Sequence, residues 1–274
     1  MKDGTMAESW MFSDGRPLIM AHRGDPNRAP ENTLLAMKAA LEVGVDSLET
    51  DVRTTRDGHL ILFHDEYLRR TTGVEGTVGG STLGELQQLD LGYMFSRDGT
   101  SFPYRGKGLR VVTIQEAFEA LPQCKFNIDI KSPDGRSSAL LAEAIRDCGR
   151  EDSVIVASFL PPQLERFRSL MPSVATSAHL PEVRRFLLGV RLRAMSVFCR
   201  RIAFRALQVP LHYGRIQVVS ERFLVEAHKR NIAVHVWTIN DRETMEWLID
   251  LGVDGIFTDD APLMRQVLNE RSLL

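Results

Sequence analysis

The sequence predicts an α/β fold closed as a (β/α)8 barrel. Three observations point there: short apolar runs of β type recur along the 274 residues, helical patterns separate most of them, and about nine such runs are present. Repeated βα units give a parallel sheet covered by helices. Eight or nine strands in roughly 250 residues favour closure into a barrel over an open sheet.

The elements follow in chain order. Residues 1–16 have no apolar core long enough for a signal peptide and read as a flexible arm, with one barrel unit expected over 17–274. "LIMAH" (18–22) is the first strand, followed by a helix over 33–43 in which Leu34, Met37 and Leu41 form one stripe and Gly44 marks the stop. "SLETDV" (47–52) and "LILFHD" (60–65) are joined through "TRDG", too short to hold a helix, so this connection departs from the βα pattern. Residues 66–112 are rich in Gly and Thr with a single short helical pattern, and read as a functional rim insertion after the third strand. Further strands are expected at 126–130, 154–159, 174–179, 216–220, 233–239 and 255–259, with helices over 138–148, 162–170, 221–230 and 243–251.

Composition excludes some function classes. A formal charge of -2 argues against nucleic acid as the main partner, since that footprint is a strong basic excess. Cys124, Cys148 and Cys199 are odd in number and far apart, which suits reduced thiols in a cytoplasmic protein. No stretch has the length and apolarity of a membrane-spanning helix.

In a barrel the active site is built at the C-terminal strand ends, and alternation along each strand decides which side chains face inward. Glu49 and Asp51 share one face of their strand; Asn127, Asp129 and Lys131 share one face of another; His22 and His64 end two more. The plain alternative for each charged residue is an ordinary salt bridge, and for each histidine a satisfied core position. Together they make an oxygen-rich cluster that suits a hard divalent cation, Mg2+ or Ca2+, better than zinc. Two histidines beside it can share general acid and base work on a phosphoester. Arg23 offers a planar fork for phosphate oxygens, Lys131 a point charge, and Trp237 a wall.

"AHRGDPNRAPENTLLAMKAALEVGVDSLETDVRTTRDGHLILFHDEYLRRTTGVEG" resembles the opening of the glycerophosphodiester phosphodiesterase family, with its HRG…PENT segment, ExD strand, HD strand and TT…G stretch. "VHVWTINDRETMEWLIDLGVDGIFTDDAP" is similar to the family's closing elements, and the likeness runs over about residues 18–266. It implies a TIM barrel that hydrolyses glycerophosphodiesters to sn-glycerol 3-phosphate and an alcohol with one divalent cation. Carried over by position, it makes His22 and His64 the catalytic pair, Glu49 and Asp51 metal ligands, and Arg23 the phosphate-binding arginine. Asp129 stands where the family more often has Glu, in the strand that also supplies Lys131, so its reach toward a metal is one methylene shorter. The attacking hydroxyl is either water or the glycerol 2-OH.

Between Glu182 and Glu221 there is no acidic residue, while eight arginines alternate with apolar positions. Residues 183–215 therefore read either as outer helices with a solvated basic face or as a surface for anionic lipid, which suits a lysophospholipase D. A non-catalytic phosphate-binding barrel is a further alternative, opposed by the intact histidines and ExD pair. The spider-venom sphingomyelinase D group is another, opposed by the cysteines.

Overall fold

The computed structural model describes residues 10–274. Its strands are β1 (Leu18–Ala21), β2 (Ser47–Thr54), β3 (Leu60–Leu62), β4 (Phe126–Ile130), β5 (Val154–Ala157), β6 (Ala175–Thr176), β7 (Ala206–Pro210), β8 (His212–Tyr213), β9 (Ile216–Gln217), β10 (Ala233–Trp237) and β11 (Gly255–Thr258). Eight of them, all parallel to their neighbours, run in the order β6-β5-β4-β2-β1-β11-β10-β7. A bridge between Ser177 and Ala206, with Ala178 N donating to Ala206 O at 2.8 Å, brings the two ends together and leaves the ring nearly closed. Helices between the strands cover the outside, and the aliphatic residues that face them form two large cores, one around Val234, Phe223 and Met264, the other around Leu48, Phe126 and Phe167.

Local chemistry sets the corners. Thr33 caps the helix Leu34–Val43, its Oγ1 accepting from Ala36 N at 3.2 Å, and Gly44 at φ 84 closes it by donating to Leu41 O. Gly24, at φ +90, lies so close to that helix that a Cβ would stand 2.8 Å from the Ala36 carbonyl carbon. Only glycine lets the turn after β1 press against the helix backbone.

"LILFHD" folds differently from a barrel strand. β3 is antiparallel to β2, with Val52 opposite Leu62 and Thr54 opposite Leu60, and lies off the ring. The short "TRDG" link permits a hairpin but no crossover, so the strand third in the chain is not third in the barrel. The 66–112 segment thus grows from a hairpin, and Leu68, Val78, Leu86, Leu91 and Val111 give it a small core against Ile61 and Phe63.

The expected strand at 216–220 is also displaced. Ile216 and Gln217 form an exposed two-stranded hairpin with β8, while the ring is filled by β7, Ala206–Pro210, which the sequence reading passed over. Val218 and Val219 are buried, but as part of the approach to the helix Glu221–His228 rather than as strand. The helices Ile114–Ala120 and Ala261–Glu270 were likewise not anticipated.

Of the arm expected over 1–16, residues 1–9 lie outside the described residues; the remainder packs against the barrel. Met11 is fully buried, Trp10 Nε1 donates to Asp152 O at 3.2 Å, and Ser13 N donates to Asp254 Oδ1 at 3.1 Å. His235 Nε2 stands 2.8 Å from Met11 O, an oxygen that only accepts, so this nitrogen carries the proton. Burial holds the His235 pKa below the ordinary histidine value, which keeps the ring neutral. Its Nδ1 then accepts from Gln208 Nε2 at 3.3 Å, and Gln208 also donates to Asn127 Oδ1 at 2.6 Å.

Candidate active site

The eight residues given catalytic, metal or substrate roles from the sequence, and Asn127 beside them, all line one cavity of about 340 Å³. The ladder explains why. β2 and β4 are in register with Glu49 beside Asn127 and Asp51 beside Asp129, so the carboxylates of both strands stand on the inner face at matching levels. β1 ends just before His22 and Arg23, the β3 hairpin just before His64, and β10 at Trp237.

Each histidine is held through Nδ1 by a carboxylate. His22 Nδ1 lies 2.7 Å from Asp259 Oδ1, and Asp259 is itself fixed by Asn240 Nδ2 at 2.7 Å. His64 Nδ1 lies 2.6 Å from Asp65 Oδ1. A carboxylate at Nδ1 fixes the tautomer and leaves Nε2 for proton exchange. Burial disfavours the charged form of His22, but Glu49 nearby and the Asp259 hydrogen bond outweigh it and hold its pKa above the ordinary value.

Arg23 adopts φ 54, rare for a residue with a side chain, and its N–H thereby donates to Glu49 Oε2 at 2.8 Å. Its guanidinium reaches Glu31 Oε1 at 3.0 Å and stands 3.3 Å from Asp51 Oδ2. Asn32 orients Asp51: Nδ2 donates to Asp51 Oδ2 at 3.0 Å while Oδ1 accepts from Thr50 Oγ1 at 2.6 Å.

Lys131 Nζ sits between two carboxylates, 3.1 Å from Asp51 Oδ1 and 2.6 Å from Asp129 Oδ2. The resulting charge distribution is uneven. Glu49 is pushed up to about 7 by burial and by the Asp51 charge. Burial acts to raise Asp51, yet Lys131 and Arg23 hold it below the usual carboxylate range. Asp129 is raised by burial despite Lys131.

The donor set fits a hard cation. Asp129 Oδ1 is buried without a hydrogen-bond partner among the described residues, and an unpaired buried carboxylate oxygen attracts positive charge. As they stand, no three His, Cys, Asp or Glu side chains among the described residues converge on one ion position. Lys131 bridges Asp51 and Asp129, and Glu49 turns toward Arg23.

The opposite wall is apolar. Trp237 packs edge-to-face on Phe159 with ring centroids 5.9 Å apart, and Leu180, Val183 and Phe257 continue the surface. Sequence reading missed Asp259 and Asn240 because "TIND" and "TDD" carry no apolar pattern that aims them. Asn32 and Glu31 lay within the quoted PENT segment without being given roles. Phe159 ended an expected strand and was not weighed.

Fold and mouth together define a barrel enzyme whose strand ends gather cationic, carboxylate and imidazole groups in a cavity that also carries an apolar wall. Residues 22–263 match the model of the glycerophosphoryl diester phosphodiesterase family. The chain belongs to this family and is a phosphoric diester hydrolase. It is 37% identical over 252 residues to a glycerophosphodiester phosphodiesterase of Caldanaerobacter subterraneus subsp. tengcongensis, covering 89% of this chain and 95% of the relative. The crystal structure of a glycerophosphodiester phosphodiesterase from Agrobacterium tumefaciens superposes with TM-score 0.75 at 25% identity, over 91% of this chain and 99% of that one. A phosphodiesterase of Oleispira antarctica, solved with the product sn-glycerol-3-phosphate, shares the fold with TM-score 0.76 at 24% identity, over 93% of this chain and 97% of that one. No helix among the described residues is long and apolar enough to cross a membrane, and the three cysteines are free.

Proposed function

We propose that the enzyme hydrolyses glycerophosphodiesters to sn-glycerol 3-phosphate and an alcohol, with His22 and His64 as the acid–base pair. The carrying observation is that both histidines line one cavity with Nδ1 on a carboxylate, the arrangement that leaves Nε2 for proton exchange. His22, whose pKa is raised, donates a proton to the leaving alkoxide, and His64 accepts the proton of the attacking hydroxyl. Arg23 and Lys131 stabilise the charge on the phosphoryl oxygens. Glu49, Asp51 and Asp129 would hold a divalent cation, Mg2+ or Ca2+, whose chemistry is to neutralise phosphoryl charge. The test is release of sn-glycerol 3-phosphate from glycerophosphocholine: steady release with Mg2+ or Ca2+ and its loss in EDTA are expected. Undiminished release in EDTA would sink the metal assignment, and no release with either ion would sink the substrate.

A second reading, lysophospholipase D action at an anionic membrane, is favoured by one surface. Arg184, Arg185, Arg191, Arg193, Arg200, Arg201 and Arg215 are exposed and have no carboxylate partner among the described residues. Exposed arginines elsewhere are mixed, Arg56 pairing with Glu85 and Arg69 with Glu75 while Arg97, Arg110 and Arg166 have no carboxylate partner among the described residues, so what sets this surface apart is the clustering of seven such arginines. Leu188, Leu192 and Val197 are exposed among them, and the helix Leu180–Leu192 begins at the apolar cavity wall. Co-sedimentation with phosphatidylglycerol vesicles, lost at high salt, is the expected result; no sedimentation at low salt would exclude this surface.

A further inference from the structure

We propose that Arg70, supplied by the 66–112 insertion, is a positioning residue that sets the orientation of His64 through Asp65. The proposal rests on the reading of His64 as an acid–base residue.

Arg70 lies in the short helix Arg69–Thr72, fixed at its end by Gly73 in the left-handed conformation, which donates to Arg69 O at 2.9 Å. Its guanidinium grips two carboxylates that belong to different parts of the barrel. Nη1 and Nη2 donate to Glu31 Oε2 and Oε1 at 2.8 and 2.6 Å, and Nε donates to Asp65 Oδ2. Both acceptors have second duties. Glu31 Oε1 also takes Arg23 Nη1 at 3.0 Å, and Asp65 Oδ1 holds His64 Nδ1 at 2.6 Å. One continuous chain, Arg23–Glu31–Arg70–Asp65–His64, therefore joins the guanidinium and the imidazole that line the cavity.

The fork geometry makes arginine specific here. A guanidinium offers parallel donors to one carboxylate and a third donor to another, whereas an ammonium is a single point charge. Arg70 is itself half exposed, with 49% of its side chain open to solvent, so its ion pairs contribute little to global stability. Its consequence lies in where Asp65 points. With Nε gone, Asp65 is free to rotate, and the imidazole loses the partner that fixes its tautomer. A misplacement of about 1 Å at a reacting group costs on the order of 10²-fold in rate.

The experiment measures kcat and KM on glycerophosphocholine for Arg70→Met, Arg70→Lys, Asp65→Asn and the Arg70→Met/Asp65→Asn double variant, with thermal unfolding of each. The expected result is a fall in kcat of roughly 10- to 100-fold for Arg70→Met with a smaller change in KM, and incomplete recovery by lysine. The double variant should be no slower than Asp65→Asn alone, because Arg70 acts through that carboxylate. Wild-type kcat in Arg70→Met, or losses that multiply in the double variant, would overturn the proposal. Should Arg70→Met unfold, Arg70→Gln, which keeps a polar stem but removes the guanidinium fork from Asp65, carries the same expectation for kcat. His64→Ala separates the two claims. Full turnover in that variant removes the reading of His64, whereas an inactive His64→Ala beside a fully active Arg70→Met removes only the role of Arg70.

Discussion

Replacing His22 or His64 with alanine lowers kcat on glycerophosphocholine by about 10²- to 10⁴-fold each, the range that a positioned proton-transfer group supplies. KM changes less, because Arg23 and Lys131 still face the phosphate, and the double variant falls by less than the product of the two losses. The two variants differ in one respect that assigns their roles. Choline is a poor leaving group and needs a proton as it departs, whereas p-nitrophenolate does not. His22→Ala should therefore recover most of its rate on a glycerophosphodiester of p-nitrophenol, while His64→Ala remains slow on both. Recovery in His64→Ala instead would exchange the roles, and recovery in neither would place both histidines in charge stabilisation rather than proton transfer.

Lys131→Met destabilises the fold by about 3–5 kcal/mol at neutral pH, the usual cost of removing one partner from a buried ion pair. Asp51 is 1% and Asp129 9% exposed, and Lys131 Nζ is within hydrogen-bond distance of both. For a chain of this size the loss is a drop of roughly 10 °C in Tm. The pH dependence has a definite sign. Asp51 has a folded pKa below its unfolded value, so its contribution is complete above the unfolded pKa and is lost as pH falls through the folded one. In the variant the folded pKa rises, its carboxylates take up protons at higher pH, and the gap to wild type narrows in acid. Thermal unfolding of both proteins between pH 7 and about 4 checks this. A gap that is constant across that range would mean that lost packing of the lysine stem, and not its charge, carries the effect.

The parts of the fold that sequence made legible are those in which one physical rule acts alone. Glu49, Asp51, Asp129 and Lys131 were placed by period-two alternation on buried strands, where a shift of one residue would turn every carboxylate outward. The helix Leu34–Val43 was readable from its stripe and its terminal glycine. β7 escaped because "ALQVP" carries a polar Gln208 that faces the cavity and ends in a proline, and it lies behind a run of arginines that reads as surface. "IQVVS" looked more like a strand, yet its Ile216 is 40% exposed, so apolar composition misled where no neighbour was available to bury it. Asp65 stands next to His64 in the chain, but the carboxylate behind His22 was invisible for a different reason. Asp259 is 237 positions from His22, and only the pairing of β1 with β11 brings the two together.

That pairing also sets when the enzyme comes into being. His22, at the end of β1, leaves the ribosome 237 residues ahead of Asp259, the aspartate on its imidazole, which follows the neighbouring strand β11. A nascent chain stalled before residue 255 holds most of the groups proposed for the site and lacks β11 and the aspartate that follows it. Activity should thus appear abruptly during synthesis, with hydrolysis withheld until β11 and Asp259 have emerged and joined β1.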